Sequence, residues 1–397
     1  MSRVGVVFAL LSVVFPASVF GINTNPFFKE NANAGEMVGF AVSGGSPGSA
    51  GVAFVGNAAS GGFAGLYVKP GAGGALITLT GLNFRPTPVG LIGFDGSSVV
   101  FRGIENGNAA NTGLFSAPLS GNVPITIVGT SFGEASYAPS VSPNGNIAFK
   151  DLESDGATTG LFAQSRDGGI KLTLSGAGFS QIGRPAVSDL LDVAFVASPA
   201  GATRPSVYVQ PSNLNIPVSL KIPPTLTVSG DQVSIEPNAQ DASLGASIAF
   251  TAIDESTGQL GLYHSDHFTP QGINSAPKLI LAGDAANPLG NIFSSNSSAE
   301  YLSKKGYDYY KSRSDLNSPG LLPGEEIRLI GLGDAVDGST VTDIQMSETS
   351  LLDSGDAILY LTLADGTRGF YIASVPEPGV ATAMLLAATA MIARRRR

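Results

Sequence analysis

An all-β chain, closed into a ring of about seven four-stranded blades, is what the sequence predicts, on three observations. Sustained apolar spacing at i, i+3 and i+4 is missing from the body, and 51 Gly and 25 Pro in 397 residues are too many for a helical fold. One unit recurs: a β-rich run ending in an aromatic, a polar turn, then Gly-Leu-aromatic. The recurrence falls close to every 50 residues, the length of a four-stranded propeller blade.

The clearest copy is Asn146-Ile147-Ala148-Phe149 followed by Gly160-Leu161-Phe162. Before it come Val52-Ala53-Phe54 with Gly65-Leu66-Tyr67, and Val99-Val100-Phe101 with Gly113-Leu114-Phe115. After it come Val193-Ala194-Phe195 with Ser206-Val207-Tyr208, Ile248-Ala249-Phe250 with Gly261-Leu262-Tyr263, and Ile358-Leu359-Tyr360 with Gly369-Phe370-Tyr371. A degenerate copy is read at Tyr309-Tyr310 with Gly320-Leu321-Leu322. The aromatic anchors Phe54, Phe101, Phe149, Phe195, Phe250, Tyr310 and Tyr360 are separated by 47, 48, 46, 55, 60 and 50 residues.

Within a unit, Ile147 and Phe149 alternate onto one face of a first strand, and Gly160–Ala163 starts a second. Asp167-Gly168-Gly169 reads as a hairpin turn before a third alternating strand, Ile170–Leu174. That third strand recurs as Ala75–Leu79, Pro124–Val128, Lys278–Leu281 and Ile327–Ile330, and the segment through Pro185-Ala186-Val187 is read as the fourth. The last unit stops near Ala373 without its outer strands. Residues 37–46, with Met37-Val38-Gly39-Phe40-Ala41-Val42, are expected to complete it and close the ring, removing the free sheet edges. Six blades or an open stack stay open as alternatives because the copy at Tyr310 is poor.

Composition excludes several functions. With no Cys, disulfide frameworks and Cys-ligated metal or cluster sites are out. A formal charge of −9 argues against a nucleic-acid binder, and 43% hydrophobic with 13% charged residues argues against disorder.

Both ends read as addresses. Residues 1–21 run from one cation, Arg3, through an apolar stretch Val4–Phe15 to Pro16 and small residues, the order of a secretory signal peptide cut after Gly21. The other end runs Val375-Pro376-Glu377-Pro378-Gly379, then apolar residues 380–393, then Arg394, Arg395, Arg396 and Arg397. Fourteen residues rise about 21 Å as a helix, short of a ~30 Å hydrocarbon core, which suits a transient membrane stop with its arginines on the cytoplasmic side. This tail resembles the PEP-CTERM sorting signal of Gram-negative bacteria, with Pro376, Glu377 and Pro378 matching its motif. The resemblance covers about 23 residues. It implies a membrane protease, the exosortase, as a partner that cuts at the motif and releases or transfers the protein. It also implies residence in the envelope, at the cell surface or in the extracellular matrix. The expected organisation is therefore a signal peptide at 1–21, a repeat domain at 22–374 and a sorting signal at 375–397. Without Arg3 and Arg394–Arg397, residues 22–393 keep 17 basic against 31 acidic residues, a charge of −14 that serves solubility and repels anionic polymers. The units also resemble, loosely, a tandem-repeat family of anchored bacterial surface proteins with an N-x-x-G-x-x-A-F core. Gly145, Ala148 and Phe149 fit it, and Ser142 stands where the Asn belongs.

Candidate chemistry is thin. His264 and His267 are the only histidines; on a strand, i and i+3 point to opposite faces, so a surface loop is expected rather than a shared metal or a hydrolase triad. Asp151, Glu153, Asp155 and Gly156 begin like a calcium loop, but Phe162 occupies the twelfth position, where an EF-hand needs Glu. Glu105-Asn106 and Asp254-Glu255 occupy equivalent turns, and polar hairpin turns account for all three, with a loose Ca²⁺ as the alternative. Asn296-Ser297-Ser298 forms a glycosylation sequon, and residues 296–315 mix Tyr307, Tyr309 and Tyr310 with Lys304, Lys305, Lys311 and Arg313. That mixture suits contact with sugars or an anionic chain, or a diverged blade. No catalytic, cofactor-binding or metal residue is assigned. The expected function is structural or adhesive, associated with extracellular polysaccharide as in a biofilm. A propeller glycosidase or lyase and an envelope interaction scaffold are the alternatives. Facing carboxylates at one mouth of the channel would favour the enzyme.

Overall fold

The computed structural model describes residues 23–374 apart from 30–33, 45–47, 59–64, 72, 80–83, 87–91, 106–111, 121–124, 129–138, 154–156, 166–170, 213–215, 238–245, 269–272, 297–298 and 314–325. The signal peptide, the apolar tail helix, the Asp167-Gly168-Gly169 turn and Gly320–Leu322 lie outside the described residues. Among the described residues no helix is long and apolar enough to cross a membrane.

The chain folds into a seven-bladed β-propeller of antiparallel sheets, each built outward from an inner strand. The seven inner strands are Ala34–Val42, Ile92–Phe94, Ser140–Val141, Phe179–Val187, Leu226–Pro237, Leu289–Ser295 and Ser339–Gln345. In blades 1 to 5 each hydrogen-bonds the strand that carries the recurrent aromatic, and the strand after that carries the Gly-Leu-aromatic or Ser-Val-Tyr segment. The segments read from sequence as third strands are the outermost ones, among them Lys171–Leu174, Ile125–Val128 and Ile327–Gly331.

Three readings are corrected. First, Pro185-Ala186-Val187 belongs to the next blade: it pairs with Phe195-Ala194-Val193 as the inner strand of blade 4, so each unit begins one strand earlier than the repeat suggests. Second, the ring is closed by Asn23–Lys29, which pairs with Arg368–Ser374 from Asn23↔Ser374 to Lys29↔Gly369. The stretch expected to do this, 37–46, begins instead within the inner strand of blade 1: Met37–Val42 belong to Ala34–Val42, which pairs with Gly51–Ala58. Third, two anchors shift. In blade 6, Tyr310 lies on the Gly-Leu-aromatic strand opposite Ser303, so Ser303 holds the anchor position. In blade 7, Leu359 opposite Tyr371 holds it, and Tyr360 points to the other face.

The anchors matter because they form cross-strand aromatic pairs. Phe54 faces Tyr67 with ring centroids 5.3 Å apart, Phe101 faces Phe115 at 5.9 Å, and Phe149 faces Phe162 at 5.5 Å. Phe195 faces Tyr208 at 5.6 Å and Phe250 faces Tyr263 at 6.1 Å. Directly opposed residues on neighbouring strands bring such rings into contact, and the pairs stabilise beyond the area they bury. In blades 2, 4 and 5 the anchor packs against the preceding blade, so the core lies in the interfaces between blades rather than at one centre. At the closure, blade 7 turns Tyr360 and Phe370 toward blade 1, where they meet Phe54, Phe40 and the closing strand's Phe27. Phe370 stands 5.3 Å from Phe54 and 5.1 Å from Phe40.

The turn from inner strand to anchor strand explains the N-x-x-G spacing. In blades 3, 4, 6 and 7 the residues at the N position (Ser142, Ser188, Asn296, Leu352) accept a backbone hydrogen bond from the residue three later. That later residue has positive φ: Gly145 at 80°, Leu191 at 66°, Ala299 at 53° and Gly355 at 80°. Glycine reaches this region without Cβ strain, and the motif's Gly marks it.

Phe195 is fully buried, and Phe195→Ala should cost about 3–5 kcal/mol in chemical denaturation. Removing residues 22–29 bares the Arg368–Ser374 edge and the apolar surface under Phe27. The truncated chain is expected to melt at lower temperature and to self-associate by light scattering, and an unchanged monodisperse protein would contradict this closure.

Candidate functional site: the central channel

The seven inner strands diverge around the axis and cannot pair with one another. Their side chains bridge the gap instead. Ser140 Oγ accepts from Val187 N at 3.0 Å, linking blades 3 and 4. Gln232 links blades 5 and 6 by donating to Phe293 O at 2.7 Å and accepting from Phe293 N at 3.2 Å. Ser294 Oγ accepts from Leu351 N at 2.9 Å, and Thr349 Oγ1 accepts from Val42 N at 2.8 Å. These bonds satisfy backbone donors that a ladder would otherwise pair. Gly183 is required in this ring, since a Cβ there would stand 2.8 Å from Asp231 O of blade 5.

The space enclosed is a cavity of about 580 Å³ lined from all seven blades. Two groups of charge face it. The first centres on Arg184 of blade 4. Its Nε lies 3.3 Å from Asp231 of blade 5, and its terminal nitrogen lies 2.5 Å from Glu348 of blade 7. Burial works against the Arg184 charge, but the Glu348 and Asp231 carboxylates outweigh it and hold the guanidinium above its ordinary value. Lys150 donates to Ile182 O at 3.1 Å, and burial pushes its ammonium down.

Glu348 reaches Arg184 because the inner strand of blade 7 bulges. Gln345 lies opposite Tyr360 and pairing resumes with Leu351 opposite Ala357, so Met346–Ser350 stand against only Ile358 and Leu359. The extra residues turn into the channel and tie blade 7 to blade 1 through Thr349 and to blade 4 through Glu348. A bulge of this kind re-aims side chains that a regular ladder would direct elsewhere.

The second group lies at the mouth formed by the inner-to-anchor turns: Asp189, Glu236 and Asp353 from blades 4, 5 and 7. Burial pushes the Glu236 carboxyl up to about 8; the bond from Ser295 Oγ at 3.2 Å opposes this, and Asp353 and Asp189 add to it. A carboxyl that holds its proton near neutral pH can serve as a general acid.

The residues singled out in the sequence are distributed elsewhere. His264 is not in a surface loop: it is buried on Gln259–Phe268 of blade 5, with Nδ1 2.6 Å from Tyr301 Oη and Nε2 3.0 Å from Asp266. Its bond to Asp266 is the main cause holding that carboxyl below the usual range. His267 lies on the same strand, and His264 does not line the channel. Asp151 is buried and accepts from Leu152 N, and Glu153 accepts from Gly176 N at 2.7 Å and from Ser175 Oγ at 3.1 Å. Asp254 accepts from Ser256 Oγ at 2.6 Å and Ser256 N at 2.8 Å, as a turn-forming Asp does, while Glu255 pairs with Arg204. Asn296 is buried and donates to Leu352 O at 2.8 Å, an environment that does not suit a glycosylated side chain. In the 296–315 stretch Tyr309 is buried, Lys311 is paired with Glu300 at 3.0 Å, and Tyr307 is 73% exposed. The lining charges went unassigned in the sequence because they lie on the inner strands, the blade 7 bulge and the turns that follow, where the repeat is weakest. Among the described residues no group of three or more His, Asp or Glu side chains is arranged to hold a metal ion.

No protein-family model matches the chain, and no curated protein is similar to it in sequence. Solved structures share its fold. An oligogalacturonate lyase from Vibrio parahaemolyticus superposes with a TM-score of 0.55 at 11% identity, covering 90% of this chain and 97% of that one. A prolyl endopeptidase gives 0.52 at 13% identity over 85% of this chain, which spans only about 50% of the endopeptidase. The β-propeller domain of the trilobed protease from Pyrococcus furiosus, described as having an open velcro topology, gives 0.50 at 12% identity over 75% of this chain and 81% of that domain. At these identities the likeness is one of fold.

A carboxyl whose folded value is raised keeps its proton in the native state after the unfolded chain has lost it. The contribution of Glu236 to stability is therefore full below about 4.5 and lost as pH rises toward about 8. Urea unfolding measured across that window should show the decline, and Glu236→Gln should flatten it.

Proposed function

We propose that this chain is an exported envelope or matrix protein whose propeller is a carbohydrate-binding module, sorted through its tail by an exosortase. The observation that carries the reading is the 580 Å³ channel, polar at its centre and closed on all sides by inner strands, which falls in the size range of pockets that hold small ligands or short oligomers. The position of the ends supports export. Asn23 pairs with Ser374 in blade 7, so the proposed cuts before Asn23 and after Ser374 fall outside every strand of the ring.

A second reading, a polysaccharide lyase or glycosidase, is favoured by one feature: Glu236, pushed up to about 8, with Asp189 and Asp353 at the same mouth. That set resembles the acid and base pair glycoside cleavage uses. The similar fold of an oligogalacturonate lyase suggests oligogalacturonate as a first substrate to try; the acidic body repels anionic polymers as a whole, so capture would have to be local, at the Arg184 cation.

Residues 22–374 should co-sediment with the host's extracellular polysaccharide without changing its viscosity. Retention that requires calcium would bring the turn carboxylates in as ligands, and no retention in either condition would count against carbohydrate binding. A fall in viscosity that Glu236→Gln abolishes would replace the binding reading with the enzymatic one. In the host, Pro376→Ala with Pro378→Ala should leave the protein uncut and membrane-associated, which immunoblotting of fractions would reveal.

A further inference from the structure

We propose that the channel recognises a carboxylate on its saccharide ligand through Arg184, and that Glu348 is the chain's own carboxylate, occupying that place until the ligand displaces it. The proposal deepens the carbohydrate-binding reading and rests on it. Three observations carry it.

Glu348 is not placed by strand pairing. It sits on the Met346–Ser350 bulge, five residues where the partner strand has two, and it reaches from blade 7 to blade 4. Arg184 does not depend on Glu348 alone for a countercharge, because Asp231 on the adjacent inner strand engages Nε at 3.3 Å. Glu348 takes the terminal nitrogen. A guanidinium fork accepts two carboxylates along different edges, so the outer one can be exchanged while the inner one holds the group in place.

The exchange is also balanced in charge. Burial raises the Glu348 carboxyl, and Arg184 is what opposes the rise. Once a ligand carboxylate takes Arg184, burial and Asp231 still raise the Glu348 carboxyl with nothing opposing them, so displacement favours its protonated form. The ligand carboxylate then stands where the Glu348 charge stood. The other charged groups nearby are Lys150 beside Arg184 and Asp231, and Asp189, Glu236 and Asp353 at the mouth. None of them supplies a second cation to the cavity lining, so recognition of the carboxylate falls to Arg184.

The test is isothermal titration calorimetry of the full-length chain in mild detergent. The probes are a trimer of 1,4-linked galacturonate and, as a neutral control, a trimer of 1,4-linked glucose. The expected result is binding of the acidic trimer alone, tighter at pH 5.5 than at 7.5 because a proton is taken up. Glu348→Gln should tighten binding at least tenfold and remove the pH dependence. Arg184→Lys, which keeps the charge but loses the fork, should weaken it at least tenfold with the melting temperature little changed. Equal binding of both trimers would overturn carboxylate recognition while leaving carbohydrate binding in place. Unchanged or weaker binding by a folded Glu348→Gln protein would overturn the displacement. If neither trimer binds any variant while the host polysaccharide still co-sediments, the site lies outside the channel and the proposal fails.

Discussion

The structure depends on the cross-strand aromatic pair between the second and third strands of a blade. A four-stranded sheet has two faces to cover, and in a ring each is covered by a neighbouring blade. A large residue at the middle of the sheet must therefore fit a wedge between blades. Phe195 over Tyr208 and Phe250 over Tyr263 fill that wedge with two opposed rings, and small residues such as Ala194 and Ala249 lie beside the anchor. The spacing of these pairs in sequence is the length of chain needed to cross four strands and return to the axis. That is why a period near 50 residues and a ring of blades are one fact seen twice.

Where the aromatic pair fails, aliphatic side chains fill the wedge and polar contacts join them. In blade 6 the anchor is Ser303, and blade 7 presents Leu359 rather than an aromatic. The joint between them carries Tyr309 Oη donating to Ile344 O at 3.0 Å, Asn296 donating to Leu352 O, and Lys311 donating to Gly355 O at 2.8 Å while paired with Glu300. A buried ion pair adds little net stability over apolar packing, yet removing one partner is costly. These bonds add directional links to an interface that is otherwise packed apolar, with Leu302, Tyr309 and Leu329 buried against Leu359, Leu361 and Tyr371. Blade 7, whose inner strand bulges into the channel, is bounded by this polar joint on one side and by the aromatic closure on the other.

The blades were legible because their second and third strands alternate around a fixed aromatic position. Phe149 and Phe162 announce each other across a polar turn, and the outer strand at Lys171–Leu174 follows at regular distance. The closing strand was not legible. Asn23–Lys29 contains Pro26, bulges between Pro26 and Phe28, and sits just beyond the predicted leader, so its pattern reads as a flank. Nor was blade 6 legible, because Tyr309 and Tyr310 imitate an anchor while lying one strand later. His264 looked like a loop residue since nothing in Tyr263-His264-Ser265-Asp266 tells a strand continued for ten residues from a turn.

The candidate site was the least legible part, for a reason internal to the architecture. Anchor strands are under the same packing demand in every blade, so they repeat. Inner strands face a shared space in which each blade sees different neighbours, and no demand makes them alike. Arg184, Gln232, Ile292 and Glu348 all line the channel, yet they form no motif, because each answers to the others across the axis and not to its own sheet. Arg184 and Glu348 are 164 residues apart and meet only because the ring closes and blade 7 bulges. The loss of periodicity in the inner strands therefore carries information: in a repeat fold, positions freed from the repeat are those on which a ligand can impose its own pattern, and here they converge on one half-buried guanidinium.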